Sequence, residues 1–80
     1  MNIIDIRSRD LYLKGHIPGA IYIDMYDLIN NPDNYLNKNE VYHIYCSNGI
    51  SSQSVVSMLN KMGYNTVNID GGYNKLSSSR

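Results

Sequence analysis

The amino-acid sequence predicts an α/β domain whose mostly parallel, four-stranded sheet carries helices on both faces. Short apolar runs alternate along the chain with segments of helical pattern. Capping and turn residues separate the runs, and this alternation is typical of a parallel sheet covered by helices. With 80 residues, the chain is expected to form one small domain over its whole length, 1–80.

The first two strands each precede a short helix. Residues 3–6 form an apolar run, and Ser8 follows as a residue that caps a helix over residues 9–14, which Gly15 ends. After a turn, residues 20–23 predict the second strand, and Asp24 caps the next helical turn. The Asn-rich segment that follows is a loop, because Asn and Asp bond their own backbone and favour turns.

The second half of the chain repeats the pattern. Residues 41–45 predict a buried third strand, and residues 66–69 predict the fourth. Between them lies a helix that Gly63 ends in a left-handed conformation. After the fourth strand, Asp-Gly-Gly turns the chain into a last helical segment. Helical spacing places four apolar side chains of the long helix on one face, namely Val55, Val56, Leu59 and Met62.

Composition limits the classes of partner and cofactor. Seven basic and seven acidic side chains balance without a cationic run, so neither nucleic acid nor an anionic membrane is expected as a partner. No apolar stretch approaches the length of a membrane span, and we expect a soluble, cytoplasmic protein. One cysteine excludes an internal disulfide and a cysteine zinc cluster. We expect no metal and no organic cofactor.

Cys46 is the candidate nucleophile. It follows the buried strand 41–45 and begins a loop with Gly49 and hydroxyl residues that leads into the long helix. Backbone N–H groups of such a loop and of a first helical turn lack helical partners, so the loop interior binds anions. A helix N-terminus lowers a thiol pKa from about 8.5 into the range of about 3.5 to 7.5. The competing interpretation is a cysteine that serves as a small buried hydrophobe.

Four segments form a set of motifs. Residues 4–7 read Ile-Asp-Ile-Arg, and residues 15–20 read Gly-His-Ile-Pro-Gly-Ala. Residues 46–52 read Cys-Ser-Asn-Gly-Ile-Ser-Ser, and residues 70–72 read Asp-Gly-Gly. Across nearly the whole chain, these segments resemble the signatures of single-domain rhodaneses, a family of thiosulfate and persulfide sulfurtransferases.

This resemblance implies a rhodanese-like fold and a set of site residues. Asp5 and Arg7 would support the neighbouring loops through charge-assisted bonds. His16 would be a structural hydrogen-bonding residue rather than a general base. Cys46 would be the catalytic residue. The loop that binds the substrate would comprise Ser47, Asn48, Gly49, Ile50, Ser51 and Ser52.

Two departures from the family pattern alter these expectations. Ser51 stands where the family has an arginine that would grip anionic oxygens. A hydrogen bond to a charged group contributes about 1.5 to 3 kcal/mol, so its loss predicts roughly 10- to 150-fold weaker use of thiosulfate. Phosphatases of related fold also need that arginine, and a loop one residue longer, so phosphate ester hydrolysis is not expected. The chain also begins at what is usually the second strand, which leaves one sheet edge unprotected.

The resulting prediction is a rhodanese-type sulfurtransferase or persulfide carrier. Cys46 would take sulfane sulfur from a donor as a covalent persulfide and pass it to a thiol or another nucleophilic acceptor, either a small molecule or a protein. The alternative is a catalytically weak rhodanese-like module that binds a partner or senses oxidants, an interpretation that Ser51 leaves open. We expect a monomer or a weak dimer.

Overall fold

The computed structural model describes residues 1–78. Strands and helices alternate along the chain, as the sequence predicts. The elements are β1 (Asn2–Asp5), α1 (Arg9–Lys14), β2 (Ile21–Tyr22), α2 (Met25–Asn30), a 3₁₀ helix (Pro32–Asn34), β3 (Val41–Tyr45), α3 (Ile50–Lys61), β4 (Asn65–Asn68) and α4 (Gly72–Ser78).

The four strands form one parallel sheet in the order β2–β1–β3–β4. Each connection between successive strands contains a helix, as parallel pairing requires. β1 and β3 lie in the centre, with Asp5 opposite Tyr45 at their carboxyl ends. The predicted fold class is confirmed, and the loop that begins at Cys46 lies at the edge of the sheet where ligands bind in such folds.

Local capping signals set the starts of the first two helices. The Ser8 hydroxyl accepts from the Leu11 N–H at 3.2 Å, and the Asp24 carboxylate accepts from the Asp27 N–H at 3.0 Å. Both predicted N-caps are therefore confirmed. β2 is shorter than the predicted run 20–23, because the Ala20 N–H closes the preceding turn on the Ile17 carbonyl at 2.9 Å.

One face of the sheet packs against α2 and α3. Ile4 and Ile44 point to this face and are 1% and 0% exposed. Burial of an aliphatic side chain of this size contributes about 1.5 to 3 kcal/mol. The rest of this buried cluster comprises Ile6, Ile23, Leu28, Leu36, Tyr42, Cys46, Val55, Val56, Leu59 and Tyr64.

The opposite face is covered toward its carboxyl end by α1 and α4. Tyr73 of α4 stacks on Tyr45 with 6.2 Å between ring centroids, and the Tyr12 ring of α1 lies 5.8 Å from that of Tyr22. Helices therefore lie on both faces, as predicted. Of the helices in the described residues, none is long and apolar enough to cross a lipid bilayer.

Met62, the last residue of the predicted apolar helical face, lies outside the helix. α3 ends at Lys61, and Met62 is 42% exposed. The chain turns at Gly63, whose φ is +97°, and directs Tyr64 into the core in its place. Leu59, three residues earlier on the same helical face, is 0% exposed, so burial of this face ends with α3 itself.

Candidate active site

The Cys46 loop is short and tightly packed. Cys46 follows β3 directly and is 6% exposed, and α3 begins four residues later at Ile50. Gly49 lies between them with φ +88°, and a Cβ there would lie 2.8 Å from the Gly71 nitrogen. A residue with a side chain would therefore be strained by its own backbone and would also meet the glycine turn before α4.

The start of α4 is hydrogen-bonded to the Cys46 loop. The N–H groups of Tyr73 and Asn74 donate to the carbonyls of Cys46 and Ser47, each at 2.9 Å. Gly72 permits this approach, because a Cβ at that position would lie 2.3 Å from the Cys46 carbonyl oxygen. With these carbonyls bound by α4, the loop is free to direct other backbone N–H groups toward the sulfur.

The Cys46 sulfur sits among hydrogen-bond donors. Its Sγ accepts from the N–H groups of Gly49 at 3.2 Å and Ser52 at 3.3 Å. The Ser52 hydroxyl oxygen lies 3.3 Å away, and the Asn48 amide oxygen lies at 3.8 Å as an acceptor for the thiol proton. Two main-chain donors and one hydroxyl thus converge on one buried sulfur.

These donors lower the pKa of Cys46 below its ordinary value. Burial is the largest single influence and by itself raises the pKa. The hydroxyl of Ser52 and the backbone N–H groups of Ser52, Gly49 and Asn48 together outweigh it, because they bind the charged form. The geometry therefore favours a thiolate that needs no separate base.

An open pocket of about 290 Å³ lies above the sulfur. Its residues divide into an apolar side formed by Ile6, Leu11 and Met25 and an uncharged polar side formed by Ser47, Asn48 and Ser51. Arg7, Ser8 and Cys46 complete the lining. A small sulfur compound or the end of a longer chain fits such a volume.

Arg7 is bound within the protein although its side chain lines this pocket. Its guanidinium pairs with the buried Asp5 carboxylate, with Nη2 at 2.7 Å from Oδ2, and also donates to the Gly15 carbonyl at 2.6 Å. The guanidinium carbon lies 4.2 Å from the Tyr73 ring centroid. The Tyr45 hydroxyl donates to the same carboxylate at 2.7 Å, and burial raises the pKa of Tyr45 so that the proton stays in place.

The rhodanese-like domain family matches residues 1–79. The chain belongs to this family. The resemblance seen in the sequence motifs is thereby confirmed.

Relatives of this rhodanese-like domain include proteins named sulfurtransferases. A tRNA sulfurtransferase of Thermoplasma acidophilum is 44% identical over 61 residues, which cover 76% of this chain and 12% of that protein. The thiosulfate sulfurtransferase GlpE of Pseudomonas entomophila is 37% identical over 75 residues, which cover 89% of this chain and 65% of that protein. The chain thus spans a small part of the first relative and about two thirds of the second.

A crystal structure from Staphylococcus saprophyticus has a closely similar fold. Its TM-score is 0.86 at 42% sequence identity, and the match covers 92% of this chain and 73% of that one. The central sheet and the helices of this rhodanese-like domain are therefore shared with an experimentally determined structure.

The remaining predicted site residues lie in different places around the rhodanese loop. Ser51 is exposed and lines the pocket. Ile50 is 71% exposed, and its N–H donates to the Asn48 side chain at 3.0 Å instead of reaching the sulfur. The partners of His16 lie in α1, where its ring stacks on Tyr12 and its Nδ1 lies 2.8 Å from the Tyr12 carbonyl oxygen.

Asn68 is a residue of the site that sequence analysis missed. Its Oδ1 accepts from the Ser52 hydroxyl, and its Nδ2 donates to the Gly49 carbonyl at 3.2 Å. Its position was the available signal, since a polar residue ends the strand beside β3 two residues before the Asp-Gly-Gly turn. Only the pairing of β3 with β4 brings it to the Cys46 loop.

Proposed function

We propose that this rhodanese-like domain is a sulfurtransferase that carries sulfane sulfur as a persulfide on Cys46. The observation that carries the proposal is the Cys46 sulfur held by the N–H groups of Gly49 and Ser52 beneath an open pocket. A lowered thiol pKa supplies the thiolate that such chemistry needs. The relatives named sulfurtransferases support the same reaction class.

In the first step, the Cys46 thiolate attacks the outer sulfur of the donor. With an organic persulfide, Cys46–S⁻ and R–S–SH give Cys46–S–SH and R–S⁻. A new S–S bond forms at Sγ, the S–S bond of the donor breaks, and its electron pair leaves on the R–S⁻ thiolate. The second step is the reverse process with an acceptor thiolate R′–S⁻, which becomes R′–S–SH and restores Cys46–S⁻.

The loop is suited to hold both forms of the sulfur. The donors of Gly49 and Ser52 remain on Sγ, while the outer sulfur extends into the pocket beside Ser47 and Ser51. The persulfide does not need a cationic side chain beside it, because the backbone donors and the field of the α3 N-terminus both stabilise negative charge on the sulfur. Within this proposal, residues 47–52 bind the substrate.

The pocket favours a donor without a sulfonate group. Ser51 replaces the family arginine, and the guanidinium of Arg7 is already bound by Asp5 and Gly15. Thiosulfate would react as Cys46–S⁻ with S–SO₃²⁻ to give Cys46–S–S⁻ and SO₃²⁻, with no bidentate cation on its oxygens. We therefore propose that thiosulfate is a poor donor, and that a polysulfide or an organic or protein persulfide is a better one.

Ser51 also favours a second candidate function, a catalytically weak module that binds a partner or senses oxidants through Cys46. A thiol titration separates the two functions. An alkylation profile with its inflection below the free-thiol value of about 8.5 supports transfer. An inflection at or above that value supports the binding module.

The direct test is the intact mass of the protein after incubation with a polysulfide, a cysteine persulfide donor or thiosulfate. The expected result is a gain of one sulfur atom that cyanide or dithiothreitol removes, and that the Cys46→Ser variant does not show. The gain should be largest with the persulfide and polysulfide donors. If none of the three donors adds a removable sulfur atom, the proposed function is wrong.

A further inference from the structure

The Ser52 hydroxyl lies between two groups that compete for its proton. On one side Oγ is 3.3 Å from Cys46 Sγ, and on the other it donates to Asn68 Oδ1. Ser52 is fully buried, so water does not supply a substitute donor. A serine hydroxyl has one proton. The Ser52 hydroxyl can therefore donate to the Cys46 sulfur or to the Asn68 amide oxygen, but not to both at once.

The orientation of the Asn68 amide follows from its other two partners. Its Nδ2 donates to the Gly49 carbonyl at 3.2 Å and to the Asp70 carboxylate at 3.1 Å. Both partners are acceptors, so the reversed amide would set oxygen against oxygen at both contacts. Oδ1 is therefore the atom that faces Ser52 and accepts a hydrogen bond from its hydroxyl.

Two hydrogen-bond arrangements result. When Cys46 is a thiol, the Ser52 O–H donates to Asn68 Oδ1, and the S–H has Asn48 Oδ1 at 3.8 Å and Ser52 Oγ at 3.3 Å as its acceptors. When Cys46 is a thiolate, the Ser52 proton turns to Sγ, because a hydrogen bond to an ionised acceptor is roughly twice as strong as a neutral one. Asn68 Oδ1 then loses that proton, which makes formation of the thiolate less favourable than the loop donors alone would allow.

We propose that Asn68 is a positioning residue. Its Oδ1 accepts the hydrogen bond of the Ser52 hydroxyl while Cys46 Sγ is uncharged, and the hydroxyl donates to Sγ instead when Sγ carries negative charge. In the persulfide, the outer sulfur bears the proton or the charge, and the hydroxyl returns to Asn68. When R′–S⁻ takes the outer sulfur, the breaking S–S bond returns an electron pair to Sγ. The Ser52 hydroxyl then rotates and donates a hydrogen bond to the Sγ thiolate. This last step rests on the proposed function, whereas the thiol titration of Cys46 does not.

Two charged groups beside the Cys46 loop have partners of their own. After β1, Arg7 is paired with Asp5. After β4, Asp70 accepts from Asn68 itself. The first titratable side chain of α3 is Lys61, in its last turn. The neighbouring elements further contribute Tyr26 and Asp27 from α2, and Tyr73 and Lys75 from α4.

The test compares Asn68→Ala with Asn68→Asp by the pH profile of Cys46 alkylation with iodoacetamide. Alanine frees the Ser52 proton for the sulfur, so the inflection moves down. At a pH below the wild-type inflection the rate rises by about two- to tenfold, the equivalent of one neutral hydrogen bond. Aspartate retains an acceptor and adds charge, so the inflection moves up. Asn65→Ala, which removes an exposed amide from the same strand, is the matched control and leaves the profile unchanged.

A double-substitution cycle tests the route through Ser52. Ser52→Ala raises the inflection, and on that background Asn68→Ala has no further effect, because there is no hydroxyl left to hold. Thermal unfolding confirms that each variant is folded before it is titrated. A general loosening of the loop would move Asn68→Ala and Asn68→Asp in the same direction, and that result would overturn the proposal.

The same variants separate this inference from the proposed function. If Asn68→Ala keeps its full effect in the Ser52→Ala background, Asn68 does not act through the hydroxyl and the inference is wrong. That outcome leaves the donor-dependent gain of sulfur untouched. Conversely, a protein that shows the predicted titration shifts but gains no sulfur retains the hydrogen-bond arrangement and loses the transferase assignment.

Discussion

At the carboxyl edge of the sheet, the Asp5–Arg7 pair lies on one face and the Cys46 loop lies on the other. In the pair, both carboxylate oxygens are bound, by the Arg7 side chain and backbone and by the Tyr45 hydroxyl. At Cys46, the donors are mainly backbone N–H groups, and the pocket opens above the sulfur. Both sites are buried and polar, but only the second has room for another reactant.

A carboxylate whose hydrogen-bonding capacity is filled by side chains stabilises the fold. A thiol that is bound mainly by backbone N–H groups and faces an open pocket is available to react. Arg7 is the cation of the first motif and lines the pocket, yet its hydrogen bonds link the end of β1 to the Gly15 turn. Within residues 1–78, the hydrogen-bond partners of Cys46 are all uncharged, and its pKa is still lowered.

The largest effect is expected from Cys46→Ser, which removes the nucleophile. Sulfur transfer should fall below a tenth of the wild-type rate, because the serine hydroxyl is not ionised at neutral pH and does not form a persulfide. The free energy of unfolding should change by about 1 kcal/mol or less, since the hydroxyl meets the same donors and acceptors. Transfer assays and denaturant unfolding measure the two quantities. Activity above a tenth of wild type would remove Cys46 from the mechanism.

The next largest effect is expected from Asp5→Asn, which breaks the buried pair. The charge of Arg7 is then left without its counterion, and removal of one partner from a buried ion pair costs about 3 to 5 kcal/mol of stability. Asp10→Asn makes the same change on the exposed first turn of α1 and should cost about 0.5 kcal/mol or less. Urea unfolding compares them.

Where Asp5→Asn remains folded, the pH profile of Cys46 alkylation should be unchanged. A profile that moves with the pair would show that the two faces of the sheet are electrostatically coupled, and the division into a supporting and a reactive site would be wrong.

A smaller effect is expected from Ser51→Arg, which adds a cation to the open side of the reactive site. The Michaelis constant for thiosulfate should fall by roughly 10- to 150-fold, the equivalent of about 1.5 to 3 kcal/mol for a hydrogen bond to a charged group. Use of a neutral persulfide should change little. Ser57→Arg places the same charge on an exposed position of α3 and serves as the control. An unchanged Michaelis constant in Ser51→Arg would mean that the anion is held elsewhere.

The smallest effect is expected from His16→Gln. His16 is exposed and bonded to α1, so the alkylation profile between about pH 5 and 9 should keep a single inflection below the free-thiol value of about 8.5. Ser52→Ala, measured beside it, should raise the inflection, because it removes a donor that lowers the thiol pKa. An upward movement of a full pH unit in His16→Gln would identify the histidine as the activating base.

Much of the site was predictable because its signals are local. Cys46 and Gly49 stand directly between β3 and α3, so the order strand, loop and helix was enough to place a thiol at a helix start. The strand bounds were less accurate, and Met62, the last residue assigned to the apolar helical face, lies just after the end of α3 and is 42% exposed. Asn68 was missed because nothing within its own strand relates it to Ser52.

By itself, the sequence determined the features that depend on neighbours a few residues apart. The caps at Ser8 and Asp24 and the turns at Gly49 and Gly63 belong to this class, because their backbone conformations and hydrogen bonds close within about four residues. The tertiary structure decided what depends on strand pairing. Tyr45 reaches Asp5 across 40 positions of the chain, and Ser52 reaches Asn68 across 16. Contacts of that separation exist only after the sheet has brought β1, β3 and β4 side by side, so no local pattern encodes them.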